Sequence, residues 1–302
     1  MLRSLLLKLS ESPHMARWVT SNMVSRRMAR RFVAGETLNE AVAAARASNQ
    51  AGMLVSLDFL GENVASETDA RRARDLYLGK FDRIAREKLD ANISLKLTQL
   101  GMDLGEAFCQ TMLEPIVERA ASYGNFVRVD MEGSPYTQRT IDLVRWVRAR
   151  SAAVGTVIQS YLYRSERDIR DLLAVGCRIR LCKGAYKEPA EIAFPQKADV
   201  DANFVRLMQL LLPSGIYHGI ATHDAHMIEA TIDFAAKNGV GKDQFEFQML
   251  YGIRTDLQQK LVRDGYRMRL YIPYGSDWFP YFMRRLAERP ANVAFILRNL
   301  FR

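Results

Sequence analysis

The reading of the fold turns on MLVSLDFLGENVAS, residues 53–66. Its first six residues are a short apolar run ending on a carboxylate, Asp58, and the turn that follows carries no GxGxxG pattern. An open doubly wound sheet brings a glycine fingerprint after its first strand, so its absence here counts against that architecture. Seven more runs repeat the design, apolar and partly β-branched with a polar end. They are ISLK (93–96), FVRVDME (126–132), GTVIQ (155–159), RIRLCK (178–183), YHGIATHD (217–224), FEFQ (245–248) and RMRLYIPYG (267–275). Amphipathic helical stretches, such as 68–89 and 105–124, lie between them. Strands alternating with helices pair in parallel, because each crossover helix returns the chain to the same sheet end. Eight such strands close a small barrel. The expected fold class is therefore α/β, a (β/α)8 TIM-like barrel preceded by N-terminal helices. The polar strand ends (Asp58, Lys96, Asp130, Glu132, Gln159, Lys183, His223, Asp224, Gln248 and Tyr271) should gather at one mouth, where barrel enzymes keep their sites.

Outside the barrel, residues 1–50 read as a helical appendage, with helices over roughly 2–10, 15–33 and 37–49. The last opens on a capping box, Thr37 with Glu40 three positions on. Residues 51–302 are expected to form the barrel. At 48% hydrophobic and 25% charged, the chain has an ordinary globular composition, and no apolar run is long enough to span a bilayer. The formal charge of +9 is uneven: residues 1–31 hold seven Lys and Arg against one acid, Glu11. Such a segment suits a transit peptide, a membrane-surface helix or a solvated cap. No aromatic-basic motif accompanies it, so no nucleic-acid partner is expected. Three cysteines and four scattered histidines give neither a disulfide framework nor metal-ligand spacing, so the expectation is a reducing, cytoplasmic location and no metal.

Two stretches carry chemistry. YIPYGSDWFPYFMRRLAERP (271–290) places Arg284, Arg285 and Glu288 on a helix starting near Asp277, just after the last strand. Neighbouring arginines on a helix point about 100° apart, so a solvated pair is the plain reading. With Lys96 at the same mouth, however, the three cations suit a small carboxylate substrate, since guanidinium forks bind carboxylates bidentately. RLCKGAYKEPAEIAF (180–194) puts Arg180 and Lys183 at a strand end, followed by Gly184 and Ala185, small enough for a ligand to touch the backbone. Lys183 there suits a phosphate, though KGAY alone is weak evidence.

Taken together, KLT (96–98), RVDMEGS (128–134), VIQSYL (157–162), RLCKGAYKEP (180–189), ATHD (221–224), FEFQMLYGI (245–253) and YIPYG followed by RRLAE resemble the catalytic domain of proline dehydrogenases. They occur in the family's order, one per strand end, and cover residues 50–302. The chain leaves no room for the aldehyde dehydrogenase half of the bifunctional relatives. The resemblance implies non-covalent FAD and oxidation of L-proline to 1-pyrroline-5-carboxylate, the first step of proline catabolism to glutamate. It implies a quinone acceptor, peripheral contact with the inner face of a membrane, and a separate pyrroline-5-carboxylate dehydrogenase downstream.

Carried over residue by residue, Lys96, Arg284 and Arg285 hold the substrate carboxylate, while Tyr186, Leu250 and Tyr271 wall its ring. Asp130 orients the cations through an ion pair, and Arg180 sits beside flavin N5. Gln159 reaches the flavin edge, Lys183, Gly184 and Ala185 the ribityl and pyrophosphate region, and Thr222 and His223 the pyrophosphate or adenosine end. Met131 offers backbone contacts, and Glu288 meets the adenosine portion or an arginine of its own helix. Glu62, in LGENVAS, resembles a gate that pairs with Arg284. The chain departs from some relatives in having Asp224 rather than an amide after His223. Read alone, His223 is a structural histidine and Leu250 and Met131 are core. Two enzyme alternatives stand: a lyase using Lys96 as a Schiff base, and a same-fold flavin dehydrogenase acting on hydroxyproline or another cyclic amino acid.

Overall fold

The computed structural model describes residues 23–61 and 64–288, together with Ser12, Met15, Val19 and Thr20. Glu62 and the helix expected over 2–10 lie outside the described residues. Among the described residues, two helices precede the first strand, α1 (Met23–Ala29) and α2 (Leu38–Gln50). The Thr37 hydroxyl accepts the Glu40 N–H, and the Glu40 carboxylate accepts the Thr37 N–H, so the expected capping box opens α2. Such a cap is worth about 1 kcal/mol.

The strands are β1 (Leu54–Phe59), β2 (Ala91–Leu95), β3 (Val127–Val129) and β4 (Val154–Gln159). They continue with β5 (Arg178–Cys182), β6 (His218–Ala221), β7 (Phe245–Leu250) and β8 (Met268–Tyr274). The helices that follow them in turn are α3 (Glu67–Arg86), α4 (Glu106–Ser122), α5 (Ser134–Arg148) and α6 (Ser165–Ala174). After these come α7 (Lys197–Leu211), α8 (Ala225–Lys237), α9 (Thr255–Arg263) and α10 (Trp278–Glu288). Every strand pairs in parallel with its sequence neighbour, and β1 pairs with β8, which closes the barrel. A closed sheet has no unpaired edge.

Alternation along the strands divides the residues into two sets. Val55, Leu57, Ile93, Leu95, Val129, Ile179 and Leu181 are fully buried in the apolar layer beneath the helices. The residues between them, among them Ser56, Asp58, Ser94, Arg128, Asp130 and Arg180, are buried too but polar, and they meet inside the barrel. Because both faces of each strand are buried, the barrel interior is filled by a hydrogen-bonded network rather than by oil, and each polar group there needs a partner.

A second apolar cluster lies outside the barrel. Val19, Ala29, Phe32 and Val33 pack with Trp278, Phe279, Phe282 and Leu286 of α10, and with Leu60 and Ile253 from two strand-end loops. Gly252 (φ 71°) lets the β7–α9 loop approach this layer, since a Cβ there would meet the Arg31 carbonyl oxygen at 1.7 Å. The N-terminal helix therefore lies against α10, the element that carries Arg284 and Arg285.

Candidate active site

One polar constellation occupies the carboxyl ends of the strands. Arg180 on β5 reaches three other strands: Nη1 donates to Asp130 Oδ1 (2.7 Å), Nη2 to Ser94 Oγ (3.0 Å) and Nε to Gln248 Oε1. The Tyr271 hydroxyl donates to the other oxygen of Asp130 at 2.7 Å, and its ring lies 5.2 Å from the Arg180 guanidinium carbon. Burial, then the negative charges of Asp130 and Asp58, push the Tyr271 phenol well above its ordinary range, so it stays a neutral donor. Lys96, just past β2, is 3.5 Å from Asp58 at the end of β1. Burial raises the Asp58 carboxyl, opposed by Lys96 and reinforced by Asp130. The ion pair that Asp130 makes is thus with Arg180, while Lys96 has Asp58 at hand.

The neighbouring strand ends are built differently. Gln159 closes β4 almost completely buried; its Nε2 donates to the Met131 carbonyl (3.3 Å), and its Oε1 has no donor among the described residues. Lys183 is held between Asp201 (2.5 Å) and Asp224 (2.7 Å). Asp224 also caps α8 by accepting the His226 N–H (3.1 Å), so the departure noted at this position has two local partners. Thr222 is buried and accepts the Asp224 N–H (3.1 Å). His223 Nε2 accepts the Leu250 N–H (2.9 Å), which fixes the end of β7 and puts the ring proton on Nδ1. Gly184 takes φ 110° against the Tyr161 ring, and Ala185 and Tyr186 are exposed beyond it. Arg284 and Arg285 are half-buried on α10, and the Arg285 guanidinium carbon is 5.0 Å from the Tyr281 ring. Glu288 ends α10, and its side chain lies outside the described ones, as does the proposed gate Glu62.

The sequence profile of the family described as "Proline dehydrogenase" matches residues 41–298. The chain belongs to the proline dehydrogenase family. It is 43% identical over 302 residues to "Proline dehydrogenase 1" of Bacillus subtilis (strain 168), with the whole of both chains covered. To "Proline dehydrogenase" of Deinococcus radiodurans it is 39% identical over 305 residues, covering 99% of this chain and 98% of that one. Among solved structures, the fold is similar to proline utilization A (PutA) from Bdellovibrio bacteriovorus inactivated by N-propargylglycine, with TM-score 0.83 and 27% identity. That match covers 87% of this chain and 33% of the other. The (β/α)8 barrel expected from the strand pattern is the fold observed.

Several residues of this proline dehydrogenase site were missed by sequence reasoning. Ser94 was not singled out, and it holds Arg180 from strand two together with Gln248 of strand seven, which was expected at the mouth but with no assigned partner. Lys80, on α3, is 2% exposed, with its ammonium 3.8 Å from the Tyr77 ring centre, 4.4 Å from Phe59 and 5.4 Å from Tyr274. Burial pulls this lysine well below its usual range, opposed by Asp58. A signal was available: Tyr77, Lys80, Phe81 and Ile84 share one helix face at i, i+3, i+4 and i+7, and that face is buried.

Proposed function

We propose that this enzyme oxidises L-proline to 1-pyrroline-5-carboxylate, with FAD as hydride acceptor and a quinone as the final acceptor of the electrons. The observation that carries the flavin reading is the polar pair at the ends of β4 and β5. The guanidinium of Arg180 has five N–H donors. Those to Asp130, Gln248 and Ser94 hold it rigid, and the remaining ones are available to a ligand. On the neighbouring strand, the buried Gln159 carbonyl oxygen has no donor among the described residues, and a buried acceptor of this kind calls for one. A flavin edge offers an acceptor to the first and an N–H to the second, so these residues fit the cofactor. Gly184 and Ala185 would meet the ribityl and pyrophosphate part through the backbone, and Lys183 would supply a charge nearby. Thr222 and Met131 would stay close by, with His223 as their support.

The chain's residues then have defined tasks. Lys96, Arg284 and Arg285 bind the substrate carboxylate, which desolvates all four charges together. Tyr271, Leu250 and Tyr186 wall the ring and leave little room for a hydroxyl on it. Asp130 keeps Arg180 in place and oriented. When bound, a flavin would supply the hydride acceptor for the carbon beside the proline nitrogen, whose lone pair forms the C=N bond. That requires a neutral amine. The Tyr271 phenol keeps its proton in its bond to Asp130, and in this reading the amine proton leaves to solvent before the site closes. Glu62 would act as the gate above Arg284, and Glu288 would meet the adenosine portion.

Among the described residues no helix is long and apolar enough to cross a membrane. Met28 and Ala29 of α1 pack in the cluster with α10, and Arg26 and Arg30 pair with Glu36 and Glu40 at 2.6 and 2.9 Å. Contact with an anionic membrane, bringing the site near a quinone, would therefore be electrostatic and lost in high salt.

Adding L-proline without oxygen to purified protein tests the proposal. Bleaching of a yellow flavin band is the expected result. A colourless protein that takes up no FAD overturns it and revives the Schiff-base alternative at Lys96.

A further inference from the structure

The strand-five loop is fastened at both ends, and one fastening has no assigned role. At its start Lys183 is gripped by Asp201 and Asp224. Five residues later, the Glu188 carboxylate accepts the Ser134 N–H (2.8 Å) and the Ser134 hydroxyl (2.5 Å), and the Tyr161 hydroxyl lies 3.4 Å away. Ser134 opens α5, so Glu188 sits where a helix of 15 residues offers unsatisfied N–H groups and positive potential. Ser134 also ends the loop that starts at Asp130. Tyr161 lies in the loop after β4, against Gly184. A single carboxylate thus joins three successive strand-end loops at the barrel mouth.

Between the two fastenings lie only Gly184, Ala185, Tyr186 and Lys187, and the last three are exposed. So short a segment has little freedom of its own: its path follows from where its ends are held. We infer that Glu188 is the positioning residue of this loop, setting the place of Tyr186 against the substrate ring by clamping the chain to α5 and Tyr161. The inference rests on the proposed role of Tyr186 in walling a cyclic amino acid. Downstream, Phe194 N–H donates to the Tyr161 carbonyl (2.8 Å) and Tyr163 N–H to the Ile192 carbonyl (3.0 Å), so the rest of the loop stays docked without Glu188. Removing the carboxylate therefore loosens 184–188, where Tyr186 keeps an interaction of its own, and leaves the rest of the loop docked.

The test combines kinetics with hydrogen exchange on the full-length protein. Glu188→Ala should raise the KM for L-proline about tenfold and change kcat by less than about threefold, with melting temperature and flavin content near wild type. Glu188→Gln, which keeps an acceptor for the Ser134 N–H, should recover part of the loss. In a Tyr186→Ala background, Glu188→Ala should add almost nothing, because a residue acting through another is non-additive with it. Amides in 184–188 should exchange faster in Glu188→Ala. Unchanged exchange overturns the clamp, and faster exchange with an unchanged KM overturns its link to substrate. Full additivity with Tyr186→Ala also counts against the proposal. A wild type inert toward L-proline would instead sink the substrate reading, and the exchange result would still decide whether Glu188 holds the loop.

Discussion

The barrel has two polar layers, one at its mouth and one at its floor, and they differ in how their charges are satisfied. At the floor, Glu246 accepts from Arg269 Nε (2.6 Å), the Tyr217 hydroxyl (2.9 Å) and Gln248. Burial raises the Glu246 carboxyl, but those three partners outweigh it and leave it below its usual range. Arg128 Nη1 donates to the carbonyls of Thr156 (2.8 Å) and Arg178 (2.7 Å). His218 uses both nitrogens: Nδ1 accepts the Ile179 N–H (3.0 Å), so Nε2 carries the proton toward Ser214 Oγ (3.0 Å). At the mouth, by contrast, two carboxylates, Asp58 and Asp130, flank one phenol, and a buried amide oxygen lacks a donor. Gln248 connects the layers, accepting from Arg180 and donating to Glu246. The carboxylate and the imidazole of the floor are met by fixed partners, and of the floor only Arg128 Nε has no acceptor among the described residues. The mouth adds a carboxylate pair and an unmet amide oxygen, the combination that suits a ligand.

Arg180→Lys should separate the layers most sharply. It keeps the charge but loses the fork that meets Asp130, Ser94 and Gln248, so kcat/KM for L-proline should fall by roughly 10²–10³-fold. If urea unfolding shows a stability loss as large as the floor variant's, the division between layers fails. That floor variant is Glu246→Ala, which strands the Arg269 guanidinium and should cost about 3–5 kcal/mol in unfolding free energy. Its kcat/KM, measured on folded protein, should stay within about threefold of wild type. A collapse of activity without loss of stability would make Glu246 part of the site.

The pH dependence of stability sharpens the contrast further. Burial and the nearby arginines pull His218 down to about 3 from an unfolded value of 6.5. Above 6.5 neither state binds this proton and the stabilisation is complete. As pH falls from 6.5 towards 3, the unfolded state takes up the proton first, so stability falls by up to about 1.4 kcal/mol per pH unit. His218→Asn should flatten that slope in urea titrations, and an unchanged slope would place the acid sensitivity elsewhere. The smallest effect is expected for Tyr271→Ser at the mouth. Removing the phenol should lower efficiency on L-proline and narrow the preference over 4-hydroxyproline, by roughly tenfold at most for a loosened apolar wall. A constant preference ratio would take Tyr271 out of the ring pocket.

Much of this molecule was legible in the chain. The apolar runs with polar ends fixed the strands to within a few residues, and Thr37 with Glu40 fixed the start of α2, because period and capping are local. The same locality put Lys96, Asp130 and Gln159 at strand ends, while Arg180 and Tyr271 stand in the middle of β5 and β8 and reach the same network through their long side chains. Partner choice was not legible. Arg180 meets Ser94, Asp130 and Gln248, which are 86, 50 and 68 residues away in the chain. His223 Nε2 accepts a hydrogen bond from a backbone N–H 27 residues on, and Glu188 finds its hydroxyl 54 residues back. Lys80 looks like one more charge on a basic helix until the barrel brings Phe59 and Tyr274 around it. Sequence alone determined the order of elements and which residues reach the mouth, because hydrophobic period and turn chemistry act between neighbours. Only the tertiary structure decided which charge faces which, because those energies depend on distance and burial that arise when the eight strands close.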